Sequence, residues 1–147
     1  MEKRTITNIL YIAFDGKQFN TETECVRYEY EKKLDDFLNS KNTWYFEDLE
    51  GCPYPTDEGF DTEDWCYYYV KILNEAGLKE FYDFIKFLPT NIDSYYYSDP
   101  KIGQIICIME PTFDHAETII TSLDNITNDI KYFYEKLGFK MAVEEMK

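Results

Sequence analysis

The chain has 147 residues and a mass of 17.7 kDa, and its 29 acidic and 15 basic residues give a formal net charge of −14. The hydrophobic content of 44% excludes a disordered acidic tail, and the length fits one domain, which we predict over 1–147. The acidity argues against direct nucleic-acid binding, which requires Lys and Arg at the phosphates. No run of about 18 apolar residues occurs, so we expect no membrane span.

A β-hairpin is predicted at the start of the chain. Residues 5–14 alternate loosely between polar and apolar side chains and are rich in Ile, which is typical of a strand. The Asp15-Gly16 dipeptide that follows favours a type I′ turn, because both central residues of that turn have a positive φ. Residues 17–19 then form a short return strand, so the fold must contain at least one antiparallel pair.

A helix is predicted directly after the hairpin. Thr21 and Glu24 match a capping box, in which the Thr21 hydroxyl accepts from the Glu24 amide and the Glu24 side chain returns to the Thr21 N–H. The helix should run to about Asn39. Its predicted buried residues are Cys25, Val26, Tyr30, Leu34, Phe37 and Leu38.

Two strands and a second helix are predicted in the middle of the chain. Residues 42–46 form a short strand, and the segment 65–73 (WCYYYVKIL) is aromatic and β-branched, as strands are. Asn74 is the predicted N-cap of the next helix, and Pro89 should stop it. The predicted apolar face of this helix consists of Leu78, Phe81, Tyr82, Ile85 and Leu88.

The last part of the chain is predicted to contain a Tyr-rich connection at 91–100, a buried strand at 102–110 and a helix from 113 to 137 with Gly138 at C′. We expect 65–73 and 102–110 to be central strands, because both are apolar at nearly every position. The predicted fold class is α+β, with three helices packed on one face of a small, mostly antiparallel sheet. The apolar stripe of the last helix is Ile119, Ile120, Leu123, Ile126, Ile130, Phe133, Tyr134 and Leu137.

The acidic surplus is concentrated between residues 47 and 64, which contain eight acids and no Lys or Arg. The rest of the chain carries only −6, and four Gly and Pro residues favour a loop or insertion at about 47–64. Such a segment is either a solubilising loop or an electrostatic surface that attracts a basic partner. The predicted partner-binding residues are Glu47, Asp48, Glu50, Asp57, Glu58, Asp61, Glu63 and Asp64, together with the aromatic residues Tyr54, Tyr95, Tyr96 and Tyr97.

No catalytic residue, cofactor or metal is predicted. The only histidine, His115, lies near the start of the predicted last helix, where a surface or capping role is favoured over a catalytic triad. The acids at 57–64 lack the order of an EF-hand, so they do not predict a calcium site. We expect no signal peptide and a cytoplasmic location, in which thiols stay reduced. The cysteines have no zinc or redox spacing: Cys25, Cys52, Cys66 and Cys107.

The N-terminal pattern is a strand, the turn Phe14-Asp15-Gly16-Lys17-Gln18-Phe19, and a helix opened by Thr21, Glu24 and Cys25 with Tyr28-Glu29 one turn later. This pattern resembles the opening of many small, acidic, Tyr-rich accessory proteins of phages and mobile elements of low-GC Gram-positive bacteria. The aromatic strand and helix at 65–88 are similar in style. Some members of this group are anti-defence proteins, including anti-CRISPR inhibitors. The resemblance carries over no functional residue.

The resemblance to phage and mobile-element proteins and the concentrated negative charge together predict a stoichiometric anti-CRISPR inhibitor. It would bind the basic nucleic-acid channel of a Cas effector through an acidic, aromatic surface. Arginine side chains that bind phosphate also bind carboxylate in a bidentate manner, and Cas channels recognise the nucleic-acid backbone. The alternatives are an anti-restriction DNA mimic, a nucleotide-binding sponge and a modifying enzyme of undetermined chemistry. A sponge is disfavoured because only Arg4 and Arg27 are present to bind phosphates.

Overall fold

The structure, a computed structural model, describes residues 1–5, 7–49, 65–111, 116–144 and 146. The smaller of its two antiparallel sheets is the pair β1-β2, and the larger has the order β3-β4-β5-β6. The predicted α+β class with a small antiparallel sheet is confirmed. The elements in chain order are β1 (Tyr11–Ile12), β2 (Gln18–Phe19), α1 (Glu22–Leu38), β3 (Thr43–Tyr45), β4 (Trp65–Ile72), α2 (Glu75–Ile85), β5 (Ile105–Pro111), β6 (Ile119–Ser122) and α3 (Leu123–Lys136).

Helices cover both faces of the larger sheet. On the face that we call the first, Val70 and Ile106 pack against α1 and α2. On the second face, Cys107 and Met109 pack against Ile126 of α3. The third helix therefore lies opposite the other two, whereas the sequence predicted all three on one face. Successive side chains of β5 point to opposite faces of the sheet and are apolar on both. Each face must therefore be shielded from water by its own helix.

The two strands predicted to be central are central. β4 pairs with β3 on one side and with β5 on the other, and β5 also pairs with β6. Val70 lies opposite Ile106, and Tyr69 lies opposite Cys107. Val70, Ile106 and Cys107 are all completely buried. The apolar pattern of these strands therefore predicted their position correctly.

The predicted helix from 113 to 137 is wrong in its first part, where the chain forms strand β6. Ile120 pairs with Ile108, and Ser122 pairs with Ile106. Consecutive β-branched residues favour this extended conformation. The Ser122 hydroxyl accepts from the Asn125 N–H at 3.1 Å and so begins α3. Residues 113–115 lie outside the described residues.

The stripe on α3 is only partly buried. Ile126 is fully buried and Ile130 half-buried, but Phe133, Tyr134 and Leu137, which the sequence places on the same apolar stripe, are exposed. The first two turns of α3 thus pack on the second face, and the last two do not. Helical periodicity identifies the stripe, but the extent of the sheet decides how much of it is covered.

The N-terminal hairpin is shorter than predicted, since among the described residues 5 and 7–14 only Tyr11–Ile12 forms a strand. Its connection also differs. The Ala13 N–H donates to the Lys17 carbonyl at 2.8 Å, and the Gly16 N–H donates to the Ala13 carbonyl at 2.9 Å. With a φ of +91° at Gly16, this is the pattern of a type I turn followed by a G1 bulge, not a type I′ turn.

Helices α1 and α2 begin at the predicted caps. The Thr21 hydroxyl accepts from the Glu24 N–H at 3.2 Å, and the Asn74 side chain accepts from the Gly77 N–H at 2.9 Å. α2 ends at Ile85, ahead of the proline predicted to stop it. Two predicted core residues, Val26 and Tyr82, are instead exposed, and Phe84 is buried in place of Tyr82.

Candidate functional site

The acidic segment begins at one edge of the larger sheet, after β3. Phe46 still donates its N–H to the Tyr69 carbonyl oxygen at 3.0 Å, and a turn follows in which the Leu49 N–H donates to the Phe46 carbonyl at 3.3 Å. Glu47 and Asp48 are exposed in this turn. Two of the predicted binding residues therefore stand on the surface beside the edge strand.

The other members of the acidic segment lie outside the described residues. Leu49 follows β3 and Trp65 begins β4, and these two strands are antiparallel neighbours. The acidic segment is therefore the connection between two adjacent strands, and both of its ends are anchored in the sheet. The predicted residues outside the described part are Glu50, Tyr54, Asp57, Glu58, Asp61, Glu63 and Asp64.

The connection that carries the three predicted tyrosines runs along β6, at the opposite edge of the sheet. Ile92 forms a parallel bridge with Thr118, and the Asp93 N–H donates to the Thr118 carbonyl at 2.9 Å. Farther along, the Ser98 N–H donates to the Ile120 carbonyl at 3.3 Å. These bonds engage the Ile120 carbonyl of β6 and the Thr118 carbonyl just before the strand, and so reduce the capacity of that edge to pair with another chain.

Tyr95, Tyr96 and Tyr97 differ in what they can contact. Tyr95 is 85% exposed, and its ring meets that of Tyr96 edge to face at 4.8 Å. The N–H groups of both residues donate to Asp93 Oδ1, at 2.9 and 3.4 Å. Tyr97 packs against the core instead, and burial together with its hydrogen bond to Asp99 raises the pKa of its hydroxyl. Tyr95 and Tyr96 are therefore the accessible members.

The two described acids of the segment, Glu47 and Asp48, do not form one continuous surface with these tyrosines. Glu47 and Asp48 follow β3, whereas Tyr95 and Tyr96 lie beside β6, at the two edges of the sheet. Three strand spacings separate the edges, which corresponds to about 14 Å. A partner that contacts both groups would have to reach across the whole sheet.

A different set of aromatic residues adjoins the acidic segment, and we call it the Trp44 surface: Trp44, Phe46, Trp65 and Tyr67. Phe46, Trp65 and Tyr67 pack in the cluster of the second face, and alternation along β3 directs Trp44 to the same face. Trp44 is 60% exposed, and Lys71 lies opposite it in the register. Sequence reasoning missed this set because it treated Trp44 only as a strand residue, although alternation predicts which neighbours share its face.

A second feature that sequence reasoning missed is a buried carboxylate near the end of β5. Glu110 is only 4% exposed, and Arg27 Nη1 donates to its Oε1 at 3.0 Å. The Tyr30 hydroxyl donates to the other carboxylate oxygen, and burial together with this bond raises the pKa of Tyr30. Both partners offset the lost hydration of the carboxylate, so the cluster joins α1 to β5. The sequence feature that could have indicated this buried carboxylate is the acid at the end of the apolar run IICIME.

The described residues define no other reactive centre. Among them, no three His, Cys, Asp or Glu side chains lie close enough together to hold a metal ion. Cys25, Cys66 and Cys107 take part in no disulfide bond among the described residues, and His115 and Cys52 lie outside the described part. No described helix has both the length and the apolar character needed to cross a membrane. Comparisons with protein-family models, curated proteins and solved structures give no match.

Proposed function

We propose that this chain is an anti-defence protein of a phage or mobile element, and specifically a stoichiometric anti-CRISPR inhibitor. In this proposal its acidic segment occupies the basic nucleic-acid channel of a Cas effector. The observation that supports the proposal is the concentration of charge: eight acids and no base between residues 47 and 64. Two of these acids, Glu47 and Asp48, are exposed at the edge of the sheet.

The chemistry of such a channel explains why carboxylates would compete for it. A Cas effector holds its guide–target duplex by the backbone, with basic side chains that contact phosphates. Arginine binds carboxylate and phosphate with the same bidentate geometry. A dense acidic segment also steers a basic partner toward itself and so increases the association rate.

The test is a charge reversal measured in a cleavage assay with a guide-loaded Cas nuclease. Changing Asp57, Glu58, Asp61, Glu63 and Asp64 to Lys alters the net charge by ten, from −14 to −4. We expect inhibition to be lost, because each carboxylate that faces a basic side chain becomes a like-charge contact. Folding should be retained, since self-repulsion decreases.

The matched control reverses Lys131, Lys136 and Lys140 to Glu, and these three lysines lie on or just after α3. This variant should inhibit about as well as the unchanged protein. If the five-site variant folds and still inhibits fully, the acidic segment is only a solubilising loop. An anti-restriction DNA mimic uses the same chemistry, and inhibition of a restriction enzyme in place of the Cas nuclease would identify it.

A further inference from the structure

We infer that the Trp44 surface, with Glu47 and Asp48 beside it, is a docking site for a protein segment that presents arginine. The inference rests on the proposed function, because it specifies which part of a basic partner this edge of the sheet binds. It also assigns the aromatic contribution to Trp44 and not to Tyr95 and Tyr96, which lie at the opposite edge.

The two faces of β3 differ in how well they are covered. On the first face, Thr43 is buried, and its hydroxyl donates to the Phe37 carbonyl of α1 at 2.7 Å. On the second face, α3 follows β6 at the far edge and packs through Ile126 and Ile130. The β3 side of this face is the farthest from β6, and Trp44 remains mostly exposed there.

The exposed indole has no competing role in the described part of the chain. There, the Trp44 side chain makes no hydrogen bond, ion pair or ring contact. An indole carries a large apolar area, and its π-face attracts a cation more strongly than the ring of Tyr or Phe does. The ring of Trp44 is therefore suited to an intermolecular contact.

The charge next to the indole determines the kind of partner. Glu47 and Asp48 follow Trp44 closely and are exposed, and no base occurs from residue 42 to residue 64. A guanidinium is planar and weakly hydrated, so it can stack on an indole while its N–H groups bind a carboxylate. Lysine has no planar group to stack on the indole, and the carboxylates would repel the phosphates of a nucleic acid. Arginine is the side chain that satisfies both features together.

Lys71 gives the inference a second, independent consequence. It lies opposite Trp44 in the register of β3 and β4, so the two side chains are direct cross-strand neighbours and the positive charge of Lys71 is within reach of the docking position. That charge repels an incoming guanidinium. Replacing it with a neutral side chain of similar length should therefore strengthen binding, although the substitution removes no contact with the indole.

The experiment measures binding of a blocked arginine-rich peptide by tryptophan fluorescence. Trp65 belongs to the Trp44 surface, so Trp65→Phe serves as the background only after competition with labelled peptide shows that it binds as the unchanged chain does. In that variant Trp44 is the only tryptophan, and excitation beyond the tyrosine absorption band leaves it as the only emitter. We expect its emission to change on binding, and a lysine peptide of equal length and charge to bind more weakly. By competition with labelled peptide, Trp44→Ala should weaken arginine-peptide binding about 3- to 30-fold, the range of a cation–π contact. Lys71→Gln should strengthen it, and the matched control Tyr95→Ala should leave it unchanged.

Several results would overturn the inference. One is equal binding of the peptide by Trp44→Ala and the unchanged protein. A change in Trp44 emission on dilution alone would assign the face to a second copy of the chain, and a change with phosphatidylcholine vesicles would assign it to lipid. These readouts do not depend on nuclease inhibition. If the peptide binds at Trp44 but no nuclease is inhibited, the proposed function fails and the docking site remains.

Discussion

Single residues in this fold show how a buried charge is accommodated. Glu110 lies inside the sheet and is held by Arg27 and Tyr30 of α1. A buried carboxylate loses the favourable free energy of its hydration, and charged or hydrogen-bonded partners must replace it. Removing one partner lowers the free energy of unfolding by more than the intact pair contributes to it. The position of α1 on β5 therefore depends on this cluster as well as on apolar packing.

We expect Tyr30→Phe to lower the free energy of unfolding by about 1.5–3 kcal/mol, the range for a hydrogen bond to a charged group. The ring remains in place, so the loss reports the hydroxyl alone. Urea denaturation at neutral pH measures it. Tyr95→Phe is the control, because that ring is 85% exposed and should change stability little. Equal stabilities of the two variants would show that Glu110 does not need the hydroxyl.

Alkaline pH should destabilise the protein through one buried and two half-buried tyrosines. Burial raises the pKa of Tyr30, Tyr68 and Tyr97 above the ordinary value of 10.0. The protonated tyrosine hydroxyl is favoured in the folded state. The contribution of these hydroxyls to the free energy of unfolding is therefore complete below pH 10.0 and is lost as the pH rises above it. Urea unfolding across this range should show the loss, and Tyr30→Phe should show a smaller one. A flat profile would contradict the assignment.

At the scale of elements, the contact between α2 and the chain before β3 depends on a glycine. Gly77 is buried in the first turns of α2, and a Cβ atom at this position would overlap the carbonyl oxygen of Asn42. Asn42 is fixed in turn, since its side chain donates to Glu80 at 2.8 Å and accepts from the Asn74 amide at 3.1 Å. The overlap cannot be relieved by a side-chain rotation alone.

Gly77→Ala should therefore destabilise the protein, by about 1–3 kcal/mol as overpacking does. Helix propensity alone predicts the opposite sign, a gain of up to about 1 kcal/mol. Ala76→Gly, at the exposed neighbouring position, is the control and should cost about 1 kcal/mol through propensity. Thermal or urea unfolding of Gly77→Ala shows whether overpacking or helix propensity decides the sign of the change. A stabilised Gly77→Ala variant would show that α2 does not approach Asn42 so closely.

Truncation of an apolar side chain should cost more stability in the first two turns of α3 than in the last two. Ile126 is fully buried, so Ile126→Ala should cost about 2–5 kcal/mol through lost burial and a residual cavity. Phe133 is 61% exposed, and Phe133→Ala should stay within about 0.5 kcal/mol. Urea denaturation of both variants is the measurement. A large loss at Phe133 would mean that the end of α3 is packed and not exposed.

For the whole molecule, the uneven charge distribution governs association more than folding. Exposed charges act over about 8–10 Å at physiological salt. If the acidic segment drives binding to the Cas effector that we propose as partner, the association rate should fall steeply as the salt concentration rises, while dissociation changes less. Surface plasmon resonance at several salt concentrations measures both rates. An association rate independent of salt would assign the interface to aromatic contacts such as those of Trp44.

Much of the fold follows from local patterns. The caps at Thr21 and Asn74 predicted where α1 and α2 begin, because a cap is a hydrogen bond within a few residues. The apolar runs at β4 and β5 predicted central strands, because burial on both faces needs apolar side chains at every position. The charge of the acidic segment is likewise a property of the sequence alone.

Other features depended on the tertiary structure. Periodicity could not separate β6 from α3, since a short β-branched run fits both a strand and the start of an apolar stripe. It also could not show that Phe133 lies beyond the packed part of α3. The same holds for the candidate sites: only the strand order separates Tyr95 from Glu47 and Asp48 and puts Trp44 at the same edge of the sheet as these two acids. Local sequence determines which side chains share a face, whereas the pairing of distant strands determines which faces are neighbours and which stay open.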